Sequence, residues 1–151
     1  MLKRLVRVFA IAALGVGLGL AWNTYSGRGF ALTSNVFVKA GDEEIPAAEA
    51  KARLQKGALV LDARAVPFYD MGHIPGAVPL PEEDFDRAFA ALEPRLRSTF
   101  DIVVYCSGYG CEASHIVAHK LKEKGIQAAI LIDGWPAWQE AGYPTRTGKN
   151  P

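Results

Sequence analysis

Residues 102–114 of the chain, IVVYCSGYGCEAS, decide its fold. The run Ile102-Val-Val-Tyr105 is apolar and rich in β-branched residues, which predicts a buried strand of a parallel sheet. The strand ends at Cys106, and a loop with two glycines follows it. Helical sequence then runs from Ser114 to Lys124 and ends at Gly125, a residue type that commonly terminates helices. A strand that leads through a short loop into a helix predicts an alternating α/β domain.

The same alternation of strands and helices continues on both sides of this segment. Upstream, Pro46 suits the first position of a helix that begins near Ile45 and ends at Gly57. The remaining elements are predicted as strands at 58–62, 77–80 and 128–132 and as helices at 66–71, from 81 onward and at 135–141. We therefore predict a mainly parallel α/β sheet with helices on both faces. In such a sheet the ligand site lies at the carboxyl ends of the strands.

Composition limits the classes of protein to which the chain can belong. Its 151 residues suit one ordinary domain, and its 50% apolar and 22% charged residues argue against disorder. The net charge of +1 offers no polybasic surface, so we expect no nucleic-acid partner. Two cysteines and three histidines are too few for a multi-disulfide scaffold or an array of zinc fingers.

The first 28 residues differ from the rest of the chain in charge and hydropathy. They contain four basic and no acidic residues, and residues 8–22, VFAIAALGVGLGLAW, carry no charge. A cleaved signal peptide and an uncleaved membrane helix both fit a basic start before an apolar run. The length of the run, the aromatic residues near its end and the lack of a clear Ala-x-Ala cleavage site favour an uncleaved anchor at residues 5–25.

The positions of the basic residues predict the topology. Lys3, Arg4 and Arg7 precede the apolar run and outnumber Arg28 after it, so the amino terminus is expected in the cytoplasm. We predict two domains, an anchor with its linker at 1–28 and a globular domain at 29–151. The chain is expected to cross the plasma (inner) membrane once and to hold the globular domain outside it, in the periplasm.

Three segments of the globular domain, taken in order, resemble the signatures of the rhodanese-like domain family. The first is Asp62-Ala-Arg64 followed by residues 72–77, GHIPGA. The second is Tyr105-Cys106 with its glycine-rich loop and helix, and the third is DGWPAW at 133–138 followed by AGYP at 141–144. The resemblance covers residues 45–144 and implies a five-stranded α/β sulfurtransferase fold.

Members of that family carry sulfur as a persulfide on a cysteine at the end of a strand, and the resemblance places this role on Cys106. The N–H groups of a loop before a helix, together with the helix dipole, create a positive potential that favours a thiolate. The implied reaction transfers sulfur from thiosulfate or a similar donor to a thiol or cyanide acceptor through covalent catalysis. No metal and no organic cofactor is implied. From the residues alone, the alternative is an inert buried cysteine.

The loop after Cys106 departs from the common family pattern, which has an Arg-Ser pair five and six residues after the cysteine. Here Ser114 aligns with the family serine, the loop is two residues longer, and Ala113 takes the place of the arginine. Without an arginine to hold phosphoryl oxygens, phosphatase chemistry is disfavoured. The loop residues that we assign to the site are Ser107, Gly108, Tyr109, Gly110, Glu112, Ala113 and Ser114.

A second cysteine, Cys111, lies in the same loop and introduces two other functions. In an oxidising compartment it is a candidate partner for Cys106, either as a resolving thiol or in a disulfide that silences Cys106. The protein would then be a thiol–disulfide or sulfur-relay protein.

A further alternative to sulfur transfer is a non-catalytic binding module that has kept the fold. Such a module would need a protein partner that the sequence does not identify.

Four residues outside the loop are assigned supporting roles. Asp62 and Arg64 are expected to form an ion pair or to brace a turn near the floor of the site. His73 is expected to anchor loops through hydrogen bonds of its side chain. Trp135 is expected to pack against its neighbours or to shape the mouth of the pocket.

The helix that follows the loop carries three polar residues with assigned expectations. Ser114 is expected to cap its amino terminus. His115 and His119 lie four residues apart, a spacing that can bind zinc, but Ile116 stands where a zinc-protease motif has glutamate. We expect both histidines to face solvent.

Tyr109, at the tip of the loop, is expected to control access to the site or to contact a partner.

Overall fold

The computed structural model describes residues 6–7, 9, 14–18, 21–22 and 42–150. The chain divides into two compact units, Met1–Val36 and Phe37–Pro151. Parts of the predicted anchor at 5–25 are helical, and the rest of it, like the predicted domain boundary near residue 28, lies outside the described residues. Among the residues that are described, no helix is both long and apolar enough to cross a membrane.

Residues 42–150 form a parallel sheet of five strands and the helices that connect them. The strands are β1 (Glu44–Ile45), β2 (Leu59–Asp62), β3 (Val78–Pro79), β4 (Ile102–Tyr105) and β5 (Ala129–Leu131). The helices are α1 (Ala47–Gln55), α2 (Val66–Met71), α3 (Phe85–Ser98), α4 (Ala113–Glu123) and α5 (Gly134–Glu140), with a 3₁₀ turn at Glu82–Asp84. The strand order is β1-β5-β4-β2-β3, and every neighbouring pair is parallel.

Alternating residues of the central strands enter two separate apolar cores, one on each face of the sheet. Leu61 and Val104 pack with residues of α3 and α4. Val60 and Val103 pack on the other face with residues of α1, α2 and α5. Because helices cover both faces, every residue of β2 and β4 is buried, and these strands are therefore continuously apolar up to Asp62. The predicted α/β sheet with helices on both faces is confirmed.

Two helices begin two or more residues later than the sequence-based prediction places them. The first helix begins at Ala47 rather than near Ile45, since Ile45 is a residue of β1 and pairs with Leu131. Pro46, which precedes the helix, has an extended conformation. The third helix begins at Phe85 because the acidic residues before it form the 3₁₀ turn. The short strand β1 has too few apolar residues to be recognised from its own sequence.

The register of the central strands fixes where polar groups can meet. Asp62, the last residue of β2, lies beside Tyr105, the last residue of β4. Both strands therefore end at the same edge of the sheet, and the loops that follow them share one surface. This edge is the predicted place for a ligand site.

Candidate functional site

Cys106 lies directly after β4 and is almost completely buried, with 2% of its surface exposed. It belongs to the apolar core that includes Leu61, Ala63 and Val117. Its carbonyl oxygen accepts a hydrogen bond from the backbone N–H of Trp135 at 2.8 Å. The cysteine is therefore held between the sheet and the start of α5, and its sulfur points into a core rather than into open solvent.

A disulfide joins Cys106 to Cys111 within the loop. Their Cα atoms are 6.4 Å apart, which lies in the range that disulfides require. The backbone N–H of Cys111 donates to the carbonyl oxygen of Gly108 at 3.0 Å, and this turn brings Cys111 back over Cys106. Cys111 is only half-buried, so it is the more accessible residue of the pair.

Ser114 is a neighbour of the Cys106 sulfur and not the helix cap that the sequence predicts. Helix α4 begins at Ala113, and Glu112 occupies the capping position without a side-chain cap bond. Ser114 thus lies in the first turn, where it is buried and its hydroxyl Oγ donates to Cys106 Sγ at 3.5 Å. A buried hydroxyl needs a hydrogen-bond partner, and the sulfur is the partner that this position provides.

The rest of the loop is largely open to solvent. Ser107, Gly110 and Glu112 are exposed, and the side chain of Tyr109 is 75% exposed at the tip. Gly108 is half-buried beneath Pro136, and Ala113 packs against the core that contains Cys106. Between residues 106 and 114 the sequence has no lysine or arginine, and Glu112 carries its one carboxyl side chain.

A buried polar network lies beneath the loop and is built on Asp62. Arg64 donates to both carboxylate oxygens of Asp62, with Nη2 at 2.6 Å from Oδ2 and Nε at 2.9 Å from Oδ1. The hydroxyl of Tyr105 donates to the same Oδ2 at 2.6 Å and accepts the backbone N–H of Ile74 at 3.3 Å. Arg64 Nη2 also donates to the carbonyl oxygen of Gly72 at 2.6 Å. The network ties the ends of two strands to the turn before β3.

The network perturbs the titration of its members. Burial raises the pKa of Tyr105, and the nearby charge of Asp62 raises it further. Burial acts to lower the pKa of Arg64, but its hydrogen bond and charge pairing with Asp62 hold the pKa above its ordinary value. Arg64 therefore stays charged at neutral pH beside Asp62, and Tyr105 stays protonated as a donor.

A cleft of about 280 Å³ opens next to the loop. Arg64 lies at its wall with its guanidinium carbon 5.0 Å from the centre of the Trp135 ring, a cation–π arrangement. Two exposed apolar side chains of α2, Phe68 and Met71, also line the cleft. The residues that line the cleft are Arg64, Phe68, Met71, Gly72, Ser107, Trp135 and Gln139. Trp135 thus shapes the pocket, and Cys106 is not among the residues that line it.

His73 lies apart from the cysteine and serves the packing of loops. It is fully buried, its Nδ1 lies 2.9 Å from the carbonyl oxygen of Tyr69, and its ring stacks on the Tyr69 ring at 3.9 Å. Its backbone exchanges two hydrogen bonds with Arg146. His73 therefore fixes the turn before β3 against both α2 and the C-terminal segment.

The expectation that both histidines of α4 face solvent is wrong for His115. The side chain of His115 is only 13% exposed, with Nδ1 at 3.1 Å from Asp42 and Nε2 at 3.7 Å from Glu44. The residues that cover His115 are Asp42, just before β1, and Glu44 in β1, a strand that the sequence does not reveal. His119 is half-exposed beside Glu123, as expected. No group of three metal-ligating side chains occurs in the described part of the chain.

The structure brings together Cys106, Cys111 and Ser114, three residues that the sequence analysis assigns to the loop, and it adds neighbours that the sequence analysis does not assign to the site. The hydroxyl of Tyr105 donates to Asp62 alongside Arg64, and the polar residues that end both β2 and β4 are the sequence signal that could have indicated it. The apolar side chains of α2 that line the cleft have no such signal, because exposed Phe68 and Met71 look like ordinary helix residues.

Comparison with known proteins gives consistent matches. Residues 46–141 match the family described as the rhodanese-like domain. A curated relative, an HTH-type transcriptional regulator of Mycobacterium tuberculosis, is 32% identical over 108 residues; these cover 71% of this chain and 46% of the regulator. The chain therefore spans less than half the length of that relative.

Solved structures give the same fold. A rhodanese-like domain from Anabaena is 34% identical, with a TM-score of 0.58 over 72% of this chain and 81% of that one. A thiosulfate sulfurtransferase from Pseudomonas aeruginosa is 27% identical, with a TM-score of 0.59 over 72% of this chain and 21% of that one. A Bacillus halodurans protein, 24% identical with a TM-score of 0.63 over 72% of this chain and 79% of that one, shares the fold alone.

Proposed function

The chain belongs to the rhodanese-like domain family, and on that premise we propose that it is a sulfurtransferase. Cys106 would carry sulfane sulfur as a persulfide from thiosulfate or a similar donor to a thiol or cyanide acceptor. One observation carries the proposal above others. Cys106 stands at the carboxyl end of the central strand β4, immediately before the amino end of α4, with the hydroxyl of Ser114 directed at its sulfur.

The proposed reaction has two half-reactions. In the first, the Cys106 thiolate attacks the outer sulfur of thiosulfate, the sulfur–sulfur bond of the donor breaks, and sulfite leaves with the electron pair. In the second, the acceptor attacks the outer sulfur of the persulfide and Cys106 leaves as a thiolate. The Ser114 hydroxyl and the helix amino terminus stabilise negative charge on the sulfur in both steps.

Relatives support the chemical class to different degrees. The thiosulfate sulfurtransferase of Pseudomonas aeruginosa shares the fold at 27% identity, although the chain covers only 21% of it. The Mycobacterium tuberculosis relative is named a transcriptional regulator, and the present chain covers 46% of that protein. Sulfur transfer is therefore proposed for this chain from its own cysteine and loop, and no regulatory role is carried over.

The loop composition suggests weak binding of an anionic donor. Ala113 stands where the family pattern has arginine, and Glu112 adds a negative charge beside the cysteine. The nearest cation on the cleft wall is Arg64, whose charge is already paired with Asp62. We therefore expect a high KM for thiosulfate, and a neutral or weakly charged sulfur donor is a better fit to the loop.

A mass measurement on the reduced full chain tests the sulfurtransferase proposal. Incubation with thiosulfate should add one sulfur atom at Cys106, and cyanide should remove it as thiocyanate. Cys106→Ser should take up no sulfur, whereas Cys111→Ser should still take it up. If reduced Cys111→Ser takes up no sulfur from any of several sulfane donors, the sulfurtransferase proposal fails, and a non-catalytic binding module with an unidentified protein partner becomes the better account.

The disulfide favours a second function, thiol–disulfide or sulfur-relay chemistry that uses Cys106 and Cys111 together. The two functions differ in what happens to Cys111. In simple sulfur transfer Cys111 is a bystander, and a relay needs it as a reactant.

We also propose a location for the domain. The basic and apolar sequence of residues 1–28 supports a single-pass anchor at 5–25 in the plasma (inner) membrane, with the amino terminus in the cytoplasm and the globular domain in the periplasm. In cells expressing the full chain, the protein should stay in the membrane pellet after alkaline extraction and should be digested by protease added to spheroplasts. Release by alkali would contradict an anchor, and protection from protease would contradict the outward topology.

A further inference from the structure

We propose that Cys111 is a resolving thiol that discharges the Cys106 persulfide as sulfide, so that the protein reduces sulfane sulfur at the expense of an external dithiol. The inference rests on the sulfur-carrier role proposed for Cys106 and assigns the fate of the sulfur. The product would be sulfide rather than a modified acceptor, and the co-substrate would be a dithiol reductant.

The geometry of the loop carries the inference. The two cysteines are five residues apart, they are bonded, and their Cα atoms are 6.4 Å apart. The turn closed by the Cys111 N–H and the Gly108 carbonyl oxygen holds Cys111 over Cys106. A thiol held this close to a persulfide reacts within one molecule, which gives it a large advantage over a free acceptor in solution.

The resolving step balances without a further reactant. The Cys111 thiolate attacks Cys106 Sγ, and the bond between this sulfur and the outer sulfur breaks. The outer sulfur leaves with the electron pair, takes up the proton that the Cys111 thiol has lost, and is released as hydrosulfide. The two cysteines are oxidised to the disulfide seen in the structure, and the sulfane sulfur is reduced by the same two electrons.

Burial predicts which sulfur the dithiol attacks when it restores the enzyme. Cys106 is 2% exposed, whereas Cys111 is half-buried at the edge of the loop. The first thiolate of the dithiol therefore attacks Cys111, and Cys106 leaves as a thiolate beside the Ser114 hydroxyl at 3.5 Å. The second thiol of the reductant then displaces Cys111 and closes its own disulfide. The residue released first is the nucleophile for the next donor.

The same bond makes the reductant obligatory. While the disulfide persists, Cys106 is covered by Cys111 and has no thiolate with which to attack a donor. Each cycle of sulfide release therefore consumes one dithiol, and the oxidised protein is inert towards thiosulfate. A simple sulfurtransferase, in contrast, returns to a free thiolate after every transfer.

A single-turnover experiment on the full chain tests the inference. The protein is reduced with dithiothreitol, freed of reductant, and mixed with a large excess of thiosulfate without oxygen, which the expected high KM requires. The wild type should release one sulfide per Cys106 loaded and should end two hydrogens lighter, with Cys106 and Cys111 linked. Both Cys111→Ser and Cys111→Ala should retain the persulfide and release sulfide only when dithiothreitol is added.

The results separate the inference from the function on which it rests. If the wild type loads sulfur, keeps two thiols and releases no sulfide, the inference is overturned and the sulfur-carrier function stands. If Cys111→Ser and Cys111→Ala, both shown to be folded by circular dichroism, take up no sulfur, the sulfur-carrier function and the inference fail together. The order of attack is tested by mixing the oxidised wild type with glutathione and quenching with acid: the mixed disulfide should map to Cys111, and glutathione on Cys106 would contradict the assignment.

Discussion

Replacement of Tyr105 by phenylalanine should destabilise the domain by about 3 kcal/mol, although the substitution removes a single oxygen atom. The ring of Tyr105 is fully buried, and its hydroxyl makes the hydrogen bonds that join β4 to Asp62 and to the turn before β3. The phenylalanine ring fits the same space, so the loss measures the polar contacts and not the packing.

The magnitude follows from the two contacts. The bond from the hydroxyl to Asp62 Oδ2 is 2.6 Å long and has a charged acceptor, a class that contributes roughly 1.5–3 kcal/mol. The bond from the Ile74 N–H is weaker at 3.3 Å, and its loss leaves a buried donor without a partner at a cost of about 1 kcal/mol. Asp62 keeps its bonds from Arg64, so the carboxylate is not left as an isolated buried charge.

Tyr69→Phe is the matched control. Tyr69 is also buried, and its hydroxyl donates to one neutral acceptor, the carbonyl oxygen of Ala77 at 2.8 Å. The expected loss is about 1 kcal/mol, the usual contribution of a neutral hydrogen bond. The difference between the two variants isolates the charged acceptor and the second contact of Tyr105.

Urea unfolding at neutral pH, followed by far-UV circular dichroism, measures both variants. The midpoint should fall about three times as far for Tyr105→Phe as for Tyr69→Phe, with no change in the slope of free energy against urea concentration. In a thermal scan Tyr105→Phe should unfold about 10 °C lower than the wild type. Equal losses for the two variants would show that the Asp62 network does not stabilise the fold in the way its distances suggest.

Three further predictions concern the same fold. Burial raises the pKa of Tyr105 and of Tyr69, so above about pH 10 only the folded state keeps their protons. The free energy of unfolding should therefore decline with rising pH by up to ~1.4 kcal/mol per pH unit for each tyrosine. Urea midpoints at pH 9 and 11 measure this decline, which should be less steep for Tyr105→Phe. Gly134→Ala should destabilise the domain far more than Gly125→Ala. Both glycines have positive φ, but of the two only Gly134 lies where an added Cβ would collide with a neighbouring backbone carbonyl. Equal shifts in the melting temperature would contradict this reasoning. Trp138→Ala should lower the free energy of unfolding by about 3–5 kcal/mol, and Trp138→Phe clearly less, because Trp138 is 2% exposed in the core. If urea unfolding finds the alanine variant as stable as the phenylalanine variant, the packing role of Trp138 is contradicted.

The central elements were predictable because their sequence patterns are local. β4 and α2 occupy the residues expected from the sequence, and the sheet is parallel with helices on both faces as the alternation indicates. Strand β1 was not predictable, since its two residues are held by pairing with β5 and not by any preference of their own. The wrong expectation for His115 has the same cause, because the residues that cover it precede that unseen strand or belong to it.

The positions of the two cysteines were predictable, and their surroundings less so. Cys106 and Cys111 are marked by their residue type and by the strand–loop–helix pattern around them. The role of Ser114 depends on whether α4 begins one residue earlier, and a helix boundary cannot be located that finely from sequence. The donor role of Tyr105 depends on the register between β2 and β4, which is a property of two distant segments.

The fold leaves one side of the disulfide fixed and the other adjustable, and this asymmetry limits how the site can open. The backbone of Cys106 is held on both sides: the preceding carbonyl, of Tyr105, accepts the Ala63 N–H at 2.9 Å, and its own carbonyl accepts the Trp135 N–H at 2.8 Å. Cys111 lies in a segment whose neighbours on both sides are exposed. Once the disulfide breaks, access to the buried sulfur must therefore come from displacement of residues 109–112, while Cys106 keeps its place beside Ser114. The sulfide release proposed above requires this arrangement, because the donor has to reach Cys106 before Cys111 returns.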